Sequence, residues 1–478
     1  MLFLLPTRSF VAYDNDFGTD ERAWNPEVWA AETLMLLEEN MVIGGLVHTD
    51  FSNEVSSFGD TVNTRLPGAF TAKRKGTNDD VSVQAASAAR VQVVLNQHVH
   101  TSFMIRDGEE SRSFVELVDE YLRPAAQSLA RHVDRALLGQ VYQFRANQVG
   151  GATAGTIKTL ILKAREKQNV LKVPVENRNL ILTPGTETEA LELDLFLAAD
   201  NVGDEGTALR EASLGKKLGY QTFMCQNCPG LATGTSTTTS GVDAGSVDGA
   251  HSAGDVAITT ITDSTGVLTP GMYVSFEGDT GIYRVTAVAA TLVTLDKGLL
   301  NDIADEAEVT YYTLGVVDLT GDAAATAYPI GYAKDINITA AGVIPQVGQL
   351  VAFSTSADAL RDGEYCIVAV DDGSGAGDYY ITLDRPLDVA LANIDKVAYG
   401  PAKDYNFAFD RDALALVSRP LALPRAGAGA TAGVSQYNNM AIRIVITYDG
   451  TAQGHLVTLD MLCGVKVLDV NRGVMMVR

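Results

Sequence analysis

The chain has 478 residues, 46% of them hydrophobic, and a formal net charge of −23 at pH 7. At roughly 100–200 residues per domain this is material for two to four packed units, and it excludes an intrinsically disordered chain. The acidity excludes a protein that grips duplex phosphates, while leaving room for one that encloses nucleic acid without holding it. Four cysteines are too few for a disulfide framework at this size and point to a reducing compartment. The apolar run that opens the chain is too short for a secretory leader, and no stretch reaches the ~20 apolar residues of a membrane span. The expectation is a soluble chain made in the cytoplasm, with no membrane contact.

Residues 1–23 lack a helical period and read as an extended arm. Asn25-Pro26 opens a helix, with Asn25 able to cap and Pro26 at ease in the first turn. Trp29, Thr33, Leu36, Leu37 and Met41 keep its spacing as far as Gly44-Gly45. Residues 47–106 read as strand: Asp60–Leu66 alternates, Pro67-Gly68 turns, and Gln92–Ile105 is a second extended run. Between them Lys73, Arg74, Lys75, Asp79 and Asp80 form a basic–acidic tip. A two-stranded arm of this length is marginal by itself and is expected to pack on a neighbouring chain.

Ser111–Gln148 is the longest helical pattern. Leu117, Val118, Tyr121, Leu122, Ala125, Leu129, Val133, Ala136, Leu137 and Phe144 share one face, and Glu116, Glu120, Arg123, Gln127 and Arg131 lie opposite. Ser113 with Glu116 fits a capping box, and Gly150-Gly151 stops the run. Pro124 should kink the element or split it into two abutting helices; the part beyond it spans roughly 35 Å. The apolar face is expected to bury against strands from the C-terminal part of the chain. The polar face, with Arg123, Arg131 and Arg135, is expected to look toward a neighbouring chain or into an enclosed interior.

A helix follows over Thr156–Lys172, then a buried strand at Asn179–Thr183. A second capping box, Thr186 with Glu189, opens a helix to about Ala199, and Leu218–Met224 is a strand. Strands mixed with helices suggest an α+β domain. Residues 230–400 turn Ser-, Thr-, Gly- and Ala-rich and hold an internal repeat in four blocks. Asp255–Thr259, Pro270–Phe276, Gly281–Val288 and Thr294–Leu299 return as Asp335–Thr339, Gly348–Phe353, Gly363–Val370 and Thr382–Leu387. Two related β-barrel or β-sandwich lobes are predicted. They should form an insertion that folds by itself, with Thr222–Pro229 and Pro401–Asn406 as stalks. Beyond it, a short helix is expected within Asp412–Leu416, a mobile loop at Ala426–Ala432, and strands at Met440–Tyr448, Gly454–Leu462, Gly464–Val470 and Gly473–Val477.

No reaction centre emerges. Cys225-x-x-Cys228 has the spacing of a redox or zinc half-site, but Pro229-Gly230 follows where a redox motif should open a helix, and there is no second pair. Two small residues at a stalk is the stronger reading. His98 and His100 share a strand face, more simply a strand or subunit contact than a metal site. His132 falls on the apolar face of the long helix, as a satisfied core histidine would. Asp79-Asp80 and Asp371-Asp372 sit in turns, and weak calcium binding there is the minor reading. Phosphate-loop, nucleophile-elbow and zinc-protease motifs are absent from the sequence. No catalytic residue, cofactor or metal is assigned.

In this order, Trp24–Thr33, Gly59–Val62, Gln97–His100, Glu116–Asp134 with Tyr121-Leu-Arg-Pro124, Phe407–Leu414 with Arg419–Leu421, and Leu459–Val465 resemble the major capsid proteins of tailed bacteriophages. The resemblance is to the HK97-like fold, in the branch whose coat proteins carry an inserted β-domain. The insertion departs from that pattern in its length and its two-lobe repeat. The resemblance implies an arm and helix (1–46), an extended β-loop (47–106) and a spine helix in a peripheral domain (107–155). It further implies an axial α+β domain (156–228), the insertion (229–402) and a return to the axial and peripheral parts (403–478). It implies pentamers and hexamers of an icosahedral shell around double-stranded DNA, assembled in the host cytoplasm and resident in the virion. The partners implied are a scaffolding protein, a portal and, in some members, a decoration or cement protein. The loop tip (Lys73, Arg74, Lys75, Asp79, Asp80) and the spine's arginines would then meet neighbours. The competing reading is a β-repeat adhesion or tail-associated protein, with residues 230–400 as its binding end.

Overall fold

Alternating apolar residues build two sheets, and the long helix lies between them and the inserted lobes. The computed structural model describes residues 33, 41–49, 61–65, 72–75, 90–106, 121–151, 157–193, 215–228, 237–239, 246–260, 267–319, 327–340, 343–373, 377–401, 403–425, 429–437 and 440–478. The Asn25 helix, both tryptophans, the Ser113–Glu116 cap, Asp79 and Asp80 lie outside the described residues.

One ladder of the expected arm lies within the described residues. β1 (Thr61–Arg65) pairs antiparallel with β2 (Arg90–Val94) over five residues. The run Gln92–Ile105 is not one arm strand. It breaks at Leu95-Asn96, and β3 (Gln97–Arg106) leaves the arm to join the C-terminal sheet. The reason is pairing: β3 finds a ten-residue antiparallel partner there, from Arg106 against Gly454 to Gln97 against Cys463.

The α-helical part of the spine, α1, runs Arg123–Gly139. Residues 121–122 just before it are π-helical and Leu122 keeps helical φ and ψ, so the chain is already coiled when it reaches Pro124, which sits where the pitch changes. From Gln140 to Asn147 the coil tightens to a 3₁₀ helix and ends before Gly150. At about 1.5 and 2.0 Å rise per residue, the two parts together reach roughly 40 Å. The expected burial holds: Ala125, Leu129, Ala130, Val133, Leu137 and Leu138 share a core with Ile442, Ile444, Val457, Leu459 and Met461 of the C-terminal strands.

α2 (Ile157–Val170), β4 (Arg178–Leu182) and α3 (Pro184–Glu192) follow. The cap of α3 is Thr183, whose Oγ1 accepts from Thr186 N at 3.3 Å, and not the Thr186–Glu189 box. Pro184, just past the strand, thus opens the helix. β5 (Tyr220–Met224) pairs parallel with β4.

The insertion then supplies β6 (Thr237–Thr239), β7 (Ala257–Thr259), β8 (Tyr273–Phe276), β9 (Asp279–Ala289), β10 (Leu292–Leu295) and β11 (Val309–Tyr311). Its second lobe supplies β12 (Gly315–Val317), β13 (Ile336–Thr339), β14 (Leu350–Ser354), β15 (Leu360–Asp372), β16 (Asp378–Leu383) and β17 (Lys396–Tyr399). Strand order is β6-β11-β8-β9-β10-β7 in the first lobe and β12-β17-β14-β15-β16-β13 in the second. The order is the same, strand for strand. The second lobe closes into a barrel through β12 and β13, with Val316 against Thr339. In the first, a bridge from Val247 to Thr260 and the bond from Asp248 N to Thr259 O bring the segment after β6 against β7. The predicted repeat is therefore a repeat of fold.

β18 (Tyr405–Asp410) and β23 (Gly473–Val477) complete the sheet of β4 and β5, in the order β23-β18-β4-β5. β19 (Leu414–Arg419), β20 (Ala430–Tyr437), β21 (Met440–Asp449) and β22 (Gly454–Val467) build the other sheet, with β3 on the far side of β22. Three expectations fail here. The helix at Asp412–Leu416 is a 3₁₀ turn, Arg411–Ala413, running into buried strand, because Leu414–Arg419 pairs along its full length with β22. Gly454–Leu462 and Gly464–Val470 are one strand to Val467, and the loop expected at Ala426–Ala432 enters β20 at Ala430.

The insertion also packs against the body more closely than two stalks imply. Each lobe has a core of its own. Yet Tyr273, Ile282, Leu350, Ala352, Cys366 and Ala398 belong to the same core cluster as the spine and the C-terminal sheet. The insertion is seated on the spine and shares its core, so it is more than a body hung on two stalks.

Candidate functional site: the clasp between spine and insertion

The richest polar constellation is the seam where the end of the spine meets both lobes. In a 3₁₀ helix residues three apart stand in one row. Tyr142, Arg145 and Gln148 make that row, and each reaches the insertion. Tyr142 Oη donates to Gly348 O at 2.6 Å, Gln148 Oε1 accepts from Ile282 N at 3.2 Å, and Arg145 Nε donates to Glu364 Oε2 at 3.0 Å. Arg145 also pairs with Asp296 at 2.6 Å. At α-helical pitch the same three side chains would fan through about 120° and could not all face the lobes.

Around Arg145 the partners are fixed in turn. Tyr273 Oη donates to Glu364 Oε1 at 3.1 Å, and the Arg145 guanidinium lies 5.3 Å from the Tyr273 ring centre. Lys297 Nζ donates to Arg145 O at 2.8 Å; its ammonium is pushed well below the ordinary lysine range, first by burial and then by Arg145. Burial alone would lower Arg145, but Glu364, Tyr273 and Asp296 outweigh it and its guanidinium is held charged. Arg284 crosses between lobes, donating to Phe353 O at 2.8 Å.

One turn earlier, Gln140 Nε2 donates to Asp384 Oδ2 at 2.6 Å, and Asp384 Oδ1 accepts from Cys366 N at 2.9 Å. Burial raises the Asp384 carboxyl to about 6, against lowering by Arg385 and these bonds. Gly139 lets the spine come this close: a Cβ there would stand 2.6 Å from Cys366 Cβ and 3.0 Å from Asp384 Cβ.

A second buried carboxylate lies earlier on the spine. Asp134 accepts from Val42 N at 3.1 Å and Ile43 N at 3.3 Å, with Asn227 also bonded to it, and burial raises it to about 6. Beside it is a cavity of about 390 Å³ lined by Val42, Gln127, Arg131, Met224, Cys225, Gln226 and Asn227. The Cys225 and Cys228 thiols hydrogen-bond each other, which lowers the first and raises the second. No group of three metal-ligating side chains occurs among the described residues.

The residues singled out from sequence scatter. Lys73, Arg74 and Lys75 are exposed on the arm. Arg123 and Arg131 are exposed on the spine, but Arg135 is half-buried and donates to Val368 O of the second lobe at 3.2 Å, so it faces the insertion. His98 Nε2 lies 3.3 Å from Asp460 Oδ2, a partner too distant in sequence to be foreseen. Arg145, Asp296, Glu364 and Asp384 were missed. Asp296 and Asp384 carried a signal, since both stand in the last repeat block, Thr-Leu-Asp.

The acidity is also unevenly placed. Residues 229–402 hold 23 of the 59 acidic residues and 6 of the 36 basic ones, so −17 of the net −23 sits on the insertion.

No family model matches the chain, and no curated protein matches it. Solved structures do resemble it. One, "Mycobacterium phage Che8", is 13% identical with a TM-score of 0.42, over 91% of this chain and 90% of that one. A second, "Capsid structure of the Cyanophage P-SCSP1u", is 10% identical with a TM-score of 0.43, over 91% and 87%. A third, "Asymmetric unit of bacteriophage PhiM1 mature capsid", is 7% identical with a TM-score of 0.39, over 90% and 86%.

Proposed function

We propose that this chain is the structural subunit of an icosahedral bacteriophage shell, with the HK97-like fold and a two-lobed inserted β-domain. Copies assemble into pentamers and hexamers and close around double-stranded DNA. The arm carries the proposal. Exposed Lys73, Arg74 and Lys75 lie between its strands β1 and β2 in the chain, while its root is gripped by the subunit's own sheet. A two-stranded ladder is marginal unless something else covers it, and a neighbouring copy is the natural cover. The spine and its clasp support the same role, since their buried charges are spent on each other and face no substrate. The acidity of the insertion keeps that part of the subunit off packed DNA. A scaffolding protein, a portal and a cement protein are the partners this role calls for. The virion is the final location, reached by assembly in the host cytoplasm.

Deleting Phe70–Asp80 should leave a folded subunit that forms no closed shell by electron microscopy; normal particles from the deletion would refute the role of the arm. The matched strand order of the lobes favours a second reading, a β-repeat adhesion or tail-associated protein. Closed shells or capsomers from the purified chain exclude it, and monomers or trimeric fibres would establish it instead.

A further inference from the structure

We propose that the second lobe of the insertion anchors the root of the arm and so sets the direction in which the arm leaves the subunit. The point of contact is Gln97, the first residue of β3, three residues after β2 ends. Its side chain is buried, and its Nε2 donates to the backbone carbonyl of Asp384 at 2.6 Å. That carbonyl cannot drift. Asp384 N donates to Cys366 O at 2.9 Å, its Oδ1 accepts from Cys366 N at 2.9 Å, and its Oδ2 accepts from Gln140 Nε2 at 2.6 Å. The root is thus tied to a residue of the second lobe that is itself bound to the spine.

The other sides of the root are closed by different means. Val62, Val93 and Leu95 bury against Ala415 and Val417 of β19. Gly464 of β22 faces the carbonyl of Val94, where any side chain would collide with backbone. Apolar contacts and a missing side chain resist compression but do not specify an angle. The hydrogen bond from Gln97 is the directional element. An insertion seated on the spine would therefore have a second task beyond shape: holding the arm in the pose that the next copy meets. The consequence for assembly depends on the shell-subunit reading, but the coupling itself is a property of one chain.

The test uses the unassembled full-length subunit and hydrogen–deuterium exchange. Gln97→Leu should speed exchange of the amides in 61–65 and 90–94 by about fivefold, the scale of one lost hydrogen bond, with amides of 125–139 and 440–449 unchanged. Should Gln97→Leu loosen the whole sheet, Gln97→Asn keeps polarity but falls short of the carbonyl, and it should reproduce the arm-specific effect. Arm exchange within twofold of the unsubstituted chain in whichever variant keeps its sheet protected would overturn the proposal. Failure of the shell reading would show separately, as an absence of particles from the unsubstituted chain.

Discussion

The two lobes of the insertion are one design used twice, and their differences show what each copy is for. Strand order is shared, and so are details. A left-handed glycine, Gly271 or Gly348, donates to the carbonyl of Val285 or Ile367 at 2.8 and 2.7 Å. A bulge follows at Val285/Ala287 or Ile367/Ala369. An aspartate, Asp296 or Asp384, accepts from the backbone N of Arg284 or Cys366, each at 2.9 Å. These aspartates are where the copies part. Asp296 meets a cation, Arg145, and Asp384 meets a neutral amide, Gln140. Arg145 binds both lobes by charge, through Asp296 of the first and Glu364 of the second; the second lobe adds close packing at Gly139 and the Gln140–Asp384 hydrogen bond, and among the described residues it is the lobe that reaches the arm root through Gln97.

The charged half of this contrast is where the largest effect is expected. Arg145→Leu leaves Asp296 and Glu364 facing each other's surroundings without their cation. Removing one partner of a mostly buried pair costs about 3–5 kcal/mol. Gln140→Leu removes its bond to a carboxylate that keeps Cys366 N and Arg385, together with the bond it accepts from Gln143 Nε2, and should cost about 1–2 kcal/mol. Urea denaturation of both variants measures the difference; equal losses would mean that the Arg145 ion pairs add no more than the neutral contact at Gln140. Next in size is Gly139→Ala. Its methyl would meet Cys366 Cβ and Asp384 Cβ, atoms tied to backbone that cannot swing aside. A penalty of about 2–3 kcal/mol is expected, with faster amide exchange in β14–β16 than in β8–β10. The reverse pattern would place the tight contact on the wrong lobe.

This division of labour was only half legible in the sequence. The repeat could be read because its four blocks keep hydrophobic alternation, turn glycines and Thr-Leu-Asp in register. The docking could not, because Arg145 meets Asp296 and Glu364 across long separations and each of those acids sits in a stretch that reads as a turn or strand edge. The amphipathic face of the spine was plain from its period. Its switch to a 3₁₀ helix was not, since what selects that pitch is the line of contacts made by Tyr142, Arg145 and Gln148. β20 was missed for a local reason: Ala430–Tyr437 is rich in small residues and gains its strand from eight pairings with β21. The Asp412–Leu416 helix failed likewise, because pairing with β22 overrode local preference.

Acidity offers a third way to separate the lobes. Burial raises Asp384 to about 6 from an ordinary carboxyl value, and Asp134 likewise. A carboxyl raised in the folded state binds its proton more tightly there than in the unfolded chain. Stability should therefore rise as pH falls from above 6 to near 4, and decline as pH climbs back through that window. Each group contributes on the order of 2 kcal/mol. Asp384→Asn removes its share of the slope and Asp134→Asn the other; the double variant should keep only what remains from Glu187, Asp404 and Asp410, raised by burial in the same sense, and from His132, lowered by burial in the opposite one. A slope untouched by Asp384→Asn would mean that its carboxyl is already solvated, contrary to its burial at the spine.

The finest distinction lies in two equivalent tyrosines. Tyr365 Oη accepts from Asp388 N at 2.8 Å. Tyr283 Oη accepts from Leu300 N at 2.8 Å and also donates to Asp279 Oδ2 at 2.6 Å. Tyr365→Phe therefore strands one partly solvated amide and should cost about 1 kcal/mol. Tyr283→Phe leaves Leu300 N its second acceptor, Asp279 Oδ2 at 3.0 Å, but removes a donor from that buried carboxylate, which Gly281 N and Asn301 still contact, so it should cost about 2 kcal/mol, the scale of a hydrogen bond to a charged group. The ratio matters more than either value, because the aromatic packing lost is the same. If the two substitutions cost the same, Asp279 draws nothing from Tyr283, and the first lobe's extra charge network stops at Arg145. If Tyr283→Phe costs more, Asp279 draws on Tyr283, and the charged contacts that begin at Arg145 run through Asp296 and Lys297 to the far side of β9.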